Sequence, residues 1–306
     1  MEKENGLKFA FIALSETNIE INKNIKIGDF SFYKKIPNEI RIALSSDDFE
    51  KWAGSITYDS LVSAKVCFLI SKPSNTYNIL NSEDEELKSK LDYLFNSIKL
   101  SLNFPVYKRA IYIAGYSHNG SYRLRRWADY LIDKQYIFCD SNLIEITDIE
   151  AEQINSIYKS IRNIYSDENV KNEYFLQPRL GFNYLINSLH SHDGSYAILQ
   201  LCQSIEALTA ETNSKEFAKK CLKILNYFNF TWGYSEEQLK EIYILRGRCA
   251  HLNLEDIHKH FSEKKIEEII KNAFIVSKFL YKKLLSNENE INKFKDRKGL
   301  KSFYRE

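Results

Sequence analysis

No part of this 306-residue chain is an apolar run approaching the ~20 residues needed to span a bilayer. The N-terminus also lacks the basic, apolar and small-residue succession of a signal peptide. A cytoplasmic protein without membrane contact is expected. Cysteine pairs are missing as well: Cys67, Cys139, Cys202, Cys221 and Cys249 are widely spaced and form no CxxC. That spacing argues against a disulfide framework and reads as reduced thiols, mostly in the core. Charge of one sign is not in excess. A net charge of +2, with 44% hydrophobic and 14% aromatic residues, excludes a disordered chain. Two ligand signatures are absent. Gly115-x4-Gly120-Ser121 has no lysine to grip phosphates as a P-loop does, and Cys249, His251, His258 and His260 do not follow a common structural zinc spacing. No cofactor and no metal are expected.

What the chain does contain is divided between its halves. Residues 1–150 hold 19 Lys and Arg against 21 Asp and Glu, and residues 151–306 hold 24 against 20. Only the second half leans basic, which permits an anionic partner without demanding one. In the first half Lys8–Leu14, Asp29–Lys34 and Leu61–Ile70 are rich in aromatic and β-branched residues and are predicted strands. Ser82 and Glu85 form a capping box before Leu87, Leu91, Leu94, Phe95 and Ile98, one face of a helix from about Ser82 to Leu102. Asn119-Gly120, between Tyr107–Tyr116 and Ser121–Trp127, has the composition of a tight hairpin turn. Arg123 and Arg125 share a strand face, which reads as an edge strand protected by charge or as an anion contact.

From Thr147 the texture becomes helical. Thr147 with Glu150 caps a helix through Ile154, Ile157, Ile161 and Ile164, and further helices are predicted over Leu176–Leu189 and from Ser195 to about Glu211. Others start near Ser214, at Ser235 with Gln238 as its capping partner, and near Ser262. His190 and His192, beside Asp193-Gly194, read as turn and capping residues. The predicted class is α+β: a mixed, β-rich domain over residues 1–145, an all-α bundle over 146–290, and a basic tail over 291–306. That tail reads as solvated and mobile, with a flexible electrostatic arm for nucleic acid as the alternative.

The most informative stretch is Tyr243-Ile244-Leu245-Arg246-Gly247-Arg248-Cys249-Ala250-His251, at the end of the Ser235-capped helix. It sets a phosphate-holding cation near a group that moves protons at neutral pH. An Arg and a His at a helix end also serve simply to satisfy the last carbonyls. About forty residues earlier a helix reads Leu201-Cys202-Gln203-Ser204-Ile205-Glu206-Ala207-Leu208, and Pro178-Arg179-Leu180-Gly181-Phe182-Asn183 precedes it. Together these resemble the HEPN superfamily, in particular the Apea-like HEPN proteins of bacterial antiphage defence, over roughly residues 150–285.

The resemblance implies an all-α HEPN-like bundle and a metal-independent endoribonuclease, an abortive-infection toxin acting on RNA as a homodimer. Arg246 and His251 would be its catalytic residues. It departs from the family pattern at Gly247, where many active members have Asn, Asp or His, and at Asn253, where related toxins have Tyr. Supporting roles fall to Glu206, as a partner that orients Arg246 or His251, to Asn253, which retains hydrogen-bonding capacity, and to Arg248 as a second phosphate contact. On an unbroken helix five positions leave Arg246 and His251 about 140° apart. Gly247 is where the helix is expected to break and bring them together, with convergence across a dimer as the alternative. A non-catalytic HEPN-like module binding nucleotide, nucleic acid or protein is the competing reading. The N-terminal domain would then receive a trigger or inhibitor partner.

Overall fold

The computed structural model describes residues 6–45, 47–74, 82–102, 109–119, 121–130, 142–191, 193–210, 213–231, 233–251, 257 and 259–305. The architecture is α+β, and the described residues divide into two compact units, one up to Tyr158 and one from Lys159 onward. None of the described helices is long and apolar enough to cross a membrane.

The first unit contains β1 (Gly6–Leu14), β2 (Ile19–Glu20), β3 (Ile25–Ile27), β4 (Phe30–Tyr33), α1 (Asn38–Leu44), α2 (Asp47–Ala53) and α3 (Ser55–Val62). It continues with β5 (Val66–Ser74), α4 (Ser82–Ser101), β6 (Ala110–His118), β7 (Ser121–Tyr130), β8 (Ile144–Glu145) and the start of α5 (Asp148–Ile164). Six strands make one antiparallel sheet in the order β3-β4-β5-β1-β6-β7, and β2 pairs with β8 in parallel.

Strand β1 explains the layering. Its side chains alternate between faces, and both faces are covered, so it reads as a nearly continuous apolar run. Ala10, Ile12 and Leu14 pack with Leu87, Leu91 and Leu94 of α4 and with Ala151, Ile154 and Tyr158 of α5. Phe9, Phe11 and Ala13 pack with Ile40, Leu44, Phe49, Ala53 and Leu61 of the three short helices. Because Tyr158 belongs to this core, the division between units falls inside α5.

Two local details correct or complete the sequence reading. The apolar stretch Leu61–Ile70 is not one strand: Leu61 and Val62 finish α3, with Leu61 turned inward, and β5 begins at Val66. Apolar residues on the inner face of a short helix have the same composition as a strand. The β6–β7 hairpin pairs His118 with Ser121, and Asn119 has φ +50°, a left-handed conformation asparagine tolerates. Gly120 lies outside the described residues, as does the Ser82 side chain of the first expected capping box. At α5, Glu150 accepts from the Thr147 amide at 3.2 Å and Thr147 accepts from Ile149, so that cap forms.

Strand β7 is one edge of the sheet among the described strands, and β3 is the other. Its register slips opposite Ala114/Gly115 and leaves Arg125 as the extra residue of a bulge. The Arg125 guanidinium donates to the Tyr116 hydroxyl at 2.8 Å and lies 4.9 Å from that ring, which lowers the Tyr116 pKa. A bulge and two arginines fit an edge protected by charge.

The second unit holds the rest of α5, then α6 (Asp167–Lys171), α7 (Leu176–Leu189), α8 (Gly194–Thr209), α9 (Ser214–Tyr227) and α10 (Glu236–Ala250). After these come α11 (Glu263–Leu285), α12 (Glu288–Lys293) and α13 (Arg297–Arg305). Asp193, Asn213, Ser235, Ser262 and Asn287 each accept a first-turn amide, which sets where five of these helices begin. Helices α7, α8 and α11 meet closely at Gly181. A Cβ there would sit 1.7 Å from the Tyr281 hydroxyl and 2.7 Å from the Ala207 Cβ. The buried Tyr281 hydroxyl donates to the Ser204 carbonyl at 3.0 Å, and Ser204 and Ser277 share a 2.7 Å hydroxyl bond. Arg179 is also buried and donates at 3.3 Å to the carbonyl of Ile164, the last residue of α5.

Residues 291–305 are not a solvated tail. They complete α12 and form α13, with Ile291, Phe294 and Leu300 buried. The many basic letters hide three inward apolar side chains that order the segment.

Candidate functional site

The Ser235–Gln238 capping box fixes the start of α10, with each side chain bonded to the other's backbone amide. Leu239, Ile242, Leu245 and Cys249 then point into the core. On α8, Ile198, Leu201, Cys202, Ile205 and Leu208 do the same, and Glu206 lies within the last turn. Packing α10 against α8 sets Arg246 beside Glu206, with a guanidinium nitrogen 3.5 Å from a carboxylate oxygen.

The pair is half-hidden. Its side chains retain 29% (Arg246) and 17% (Glu206) of their exposure. Burial pushes the Glu206 pKa up, and the Arg246 charge lowers it only in part. A single contact at 3.5 Å is too long for a strong charged hydrogen bond, so the two charges compensate each other incompletely. The Arg246 Nε is buried and has no hydrogen-bond partner among the described residues. The guanidinium also lies 5.7 Å from the centre of the Tyr243 ring, one turn back on the same helix. A desolvated guanidinium with an unmet donor, beside a carboxyl biased toward its neutral form, is suited to accept an anion.

The expected break at Gly247 does not occur. Helix α10 runs on through Ala250, and His251 follows as its C-cap, with φ −92° and ψ 5° and its amide bonded to the Arg248 carbonyl at 3.2 Å. Leu245, Arg246 and Arg248 are good helix formers, and one glycine among them costs only about 1 kcal/mol. Among the described residues, a Cβ at Gly247 would meet nothing within 4 Å. Helix continuity therefore leaves Arg246 and His251 about 140° apart around the axis, and the exposed His251 does not share an anion site with Arg246 of its own chain. Arg248 lies 5.5 Å from the centre of the Phe261 ring, so an aromatic face holds it. Asn253 lies outside the described residues.

Cys67, Cys202, Cys221 and Cys249 are buried free thiols, and burial raises the pKa of each. They are inert core residues rather than nucleophiles. Cys139 and His258 lie outside the described residues. Among those described, no three His, Cys, Asp or Glu side chains gather as a metal site would require.

Phe261 is a site neighbour that the sequence reading missed, whereas Tyr243 stood inside the stretch it singled out, with no role attached. Tyr243 was accessible through its three-residue spacing from Arg246. Phe261 has no such signal, because its approach to Arg248 depends on the path between α10 and α11. Comparison with protein-family models, curated proteins and solved structures returns no match.

Proposed function

We propose that the helical unit is a HEPN-type, metal-independent endoribonuclease, an antiphage effector that cleaves cytoplasmic RNA in abortive infection. The observation carrying this reading is the under-satisfied Arg246 cation, held by Glu206 within the Arg-x4-His stretch. In the reaction an RNA 2′-oxygen attacks its adjacent phosphorus while the P–O5′ bond breaks, giving a 2′,3′-cyclic phosphate and a 5′-hydroxyl. One proton leaves the 2′-hydroxyl and one reaches the departing oxygen. His251 transfers protons, and Arg246 holds the extra negative charge of the crowded phosphorus.

Since the two side chains diverge on a continuous α10, the site is composite. Arg246 of one protomer faces His251 of a second, and a homodimer is the active form. Exposed Ile42 and Ile56, each 74% accessible, and Trp52 support the α1–α3 layer as the surface for a trigger or inhibitor partner.

His251→Ala is expected to abolish cleavage of RNA by purified protein in the presence of a chelator, with fold and oligomeric state retained. Cleavage at the wild-type rate in that variant would overturn the assignment. The uninterrupted α10 and the existing Glu206 contact favour a second reading, in which the domain binds an RNA or protein partner without cutting it. Intact RNA in a stable complex, with the trigger present, would establish that reading instead.

A further inference from the structure

Helix α13 concentrates the chain's positive charge on a fixed surface. Residues 292–306 carry six Lys and Arg against two acids, a net of +4; since the whole chain is +2, the remainder is −2. Leu300 is buried, the Phe303 ring packs edge-on against Tyr227 and tilted against Phe294, each at 5.1 Å, and the Tyr304 hydroxyl donates to the Leu208 carbonyl at 3.0 Å. Lys223 donates to the Tyr304 carbonyl at 3.3 Å, which ties the same helix to α9.

The beginning of α13 is equally constrained. The Gly299 amide donates to Asp296 at 2.8 Å, and a Cβ on Gly299 would lie 2.2 Å from the Lys293 carbonyl. The inward face is therefore fixed by Leu300, Phe303 and Tyr304. At 100° per residue, Arg297, Lys298, Lys301 and Arg305 fall within an arc of about 100° beside it and extend over roughly 12 Å. All four are exposed, and none has a carboxylate partner among the described residues.

We propose that this stripe binds the phosphate backbone of a nucleic-acid strand. A lipid surface is the poorer occupant, because an interfacial helix inserts its apolar face, and here that face is spent on the protein's own interior. A protein partner is also disfavoured. Such interfaces need an apolar centre, and α12 and α13 contribute none of the large exposed hydrophobic side chains. A polyanion needs only spaced cations, which release its condensed counterions on binding. The proposal is independent of whether Arg246 and His251 cleave RNA.

The test uses the full chain and a fluorescent single strand of mixed sequence, about 20 nucleotides long, as RNA and as DNA. Affinity is measured from about 50 to about 200 mM salt, where four contacts predict a log–log slope near about −3. RNA and DNA are expected to bind within a few-fold of each other. The combined Arg297→Ala, Lys298→Ala, Lys301→Ala and Arg305→Ala variant is expected to lose at least about tenfold at the lowest salt, with a slope near zero. Its thermal midpoint should be unchanged, since all four side chains are exposed. Lys298→Arg with Lys301→Arg should bind like the wild type.

Equal affinity and slope in the four-alanine variant would overturn the proposal. So would binding of RNA without DNA, or stripe-dependent binding only to phosphatidylserine vesicles. Loss of cleavage in His251→Ala reports on the nuclease reading, while loss of binding in the α13 variant reports on this one.

Discussion

Gly181 and Gly247 both lie inside helices of the same unit, yet their surroundings are opposite. At Gly181 three helices approach so closely that even a methyl group would overlap the Tyr281 hydroxyl, whereas at Gly247 a methyl group would meet nothing. The first glycine is required by packing. The second has no packing requirement among the described residues, although it weakens the helix carrying Arg246 by about 1 kcal/mol relative to alanine. The contrast separates a crossing locked by shape from a helix face left open beside the candidate site.

The strongest attack on this contrast is Gly181→Val. It should destabilise the protein by about 3 kcal/mol or more, since Tyr281 and Ala207 are held by the core and Tyr281 also by its bond to Ser204. Urea unfolding measures it, and a loss below about 1 kcal/mol would mean that the crossing yields readily.

An intermediate effect comes from Lys278, which follows Ser277 on the same stretch of α11. Burial, and then the like charge of Lys282, lower its pKa from 10.5 to about 7. The unfolded chain thus binds more protons between pH 7 and the ordinary lysine range, so the native state gains stability as pH rises through that window. Lys278→Met should remove this dependence and stabilise the protein by about 1 kcal/mol at pH 6 to 7. Melting the two proteins across pH checks it; parallel curves would place the charge in a better-compensated setting.

Gly247→Ala should have the smallest effect, a gain of about 0.5–1 kcal/mol in the folded monomer. If the same substitution lowers cleavage or weakens self-association, the open face is used by something outside the chain. If stability rises and nothing else changes, Gly247 is a neutral replacement.

Much of the helical unit was legible because most of its helices carry their own punctuation, although α7 starts after Phe175 without a side-chain cap. Ser235 with Gln238 and Ser262 mark starts without reference to the rest of the fold. The α1–α3 layer was not legible, because helices of seven or eight residues show barely two turns of periodicity. The Arg246–Glu206 pairing was accessible through Glu206, a lone acid among Ile205, Ala207 and Leu208 that required a partner if it faced the bundle. The course of the backbone at Gly247 was not, since glycine permits a break without enforcing one and its neighbours decided for the helix.

The last described helices also constrain when the second unit can form. The Phe175 amide, just before α7, donates to the Lys295 carbonyl at 2.6 Å, and Tyr304 reaches back to Leu208. Residues at the two ends of the unit thus depend on each other. During synthesis the sheet unit has all its strands long before residues 288–305 leave the ribosome, while the helical unit must wait for them. Neither contact can form until those residues have been made, so the unit that carries Arg246 and Glu206 is completed by its most C-terminal described helix.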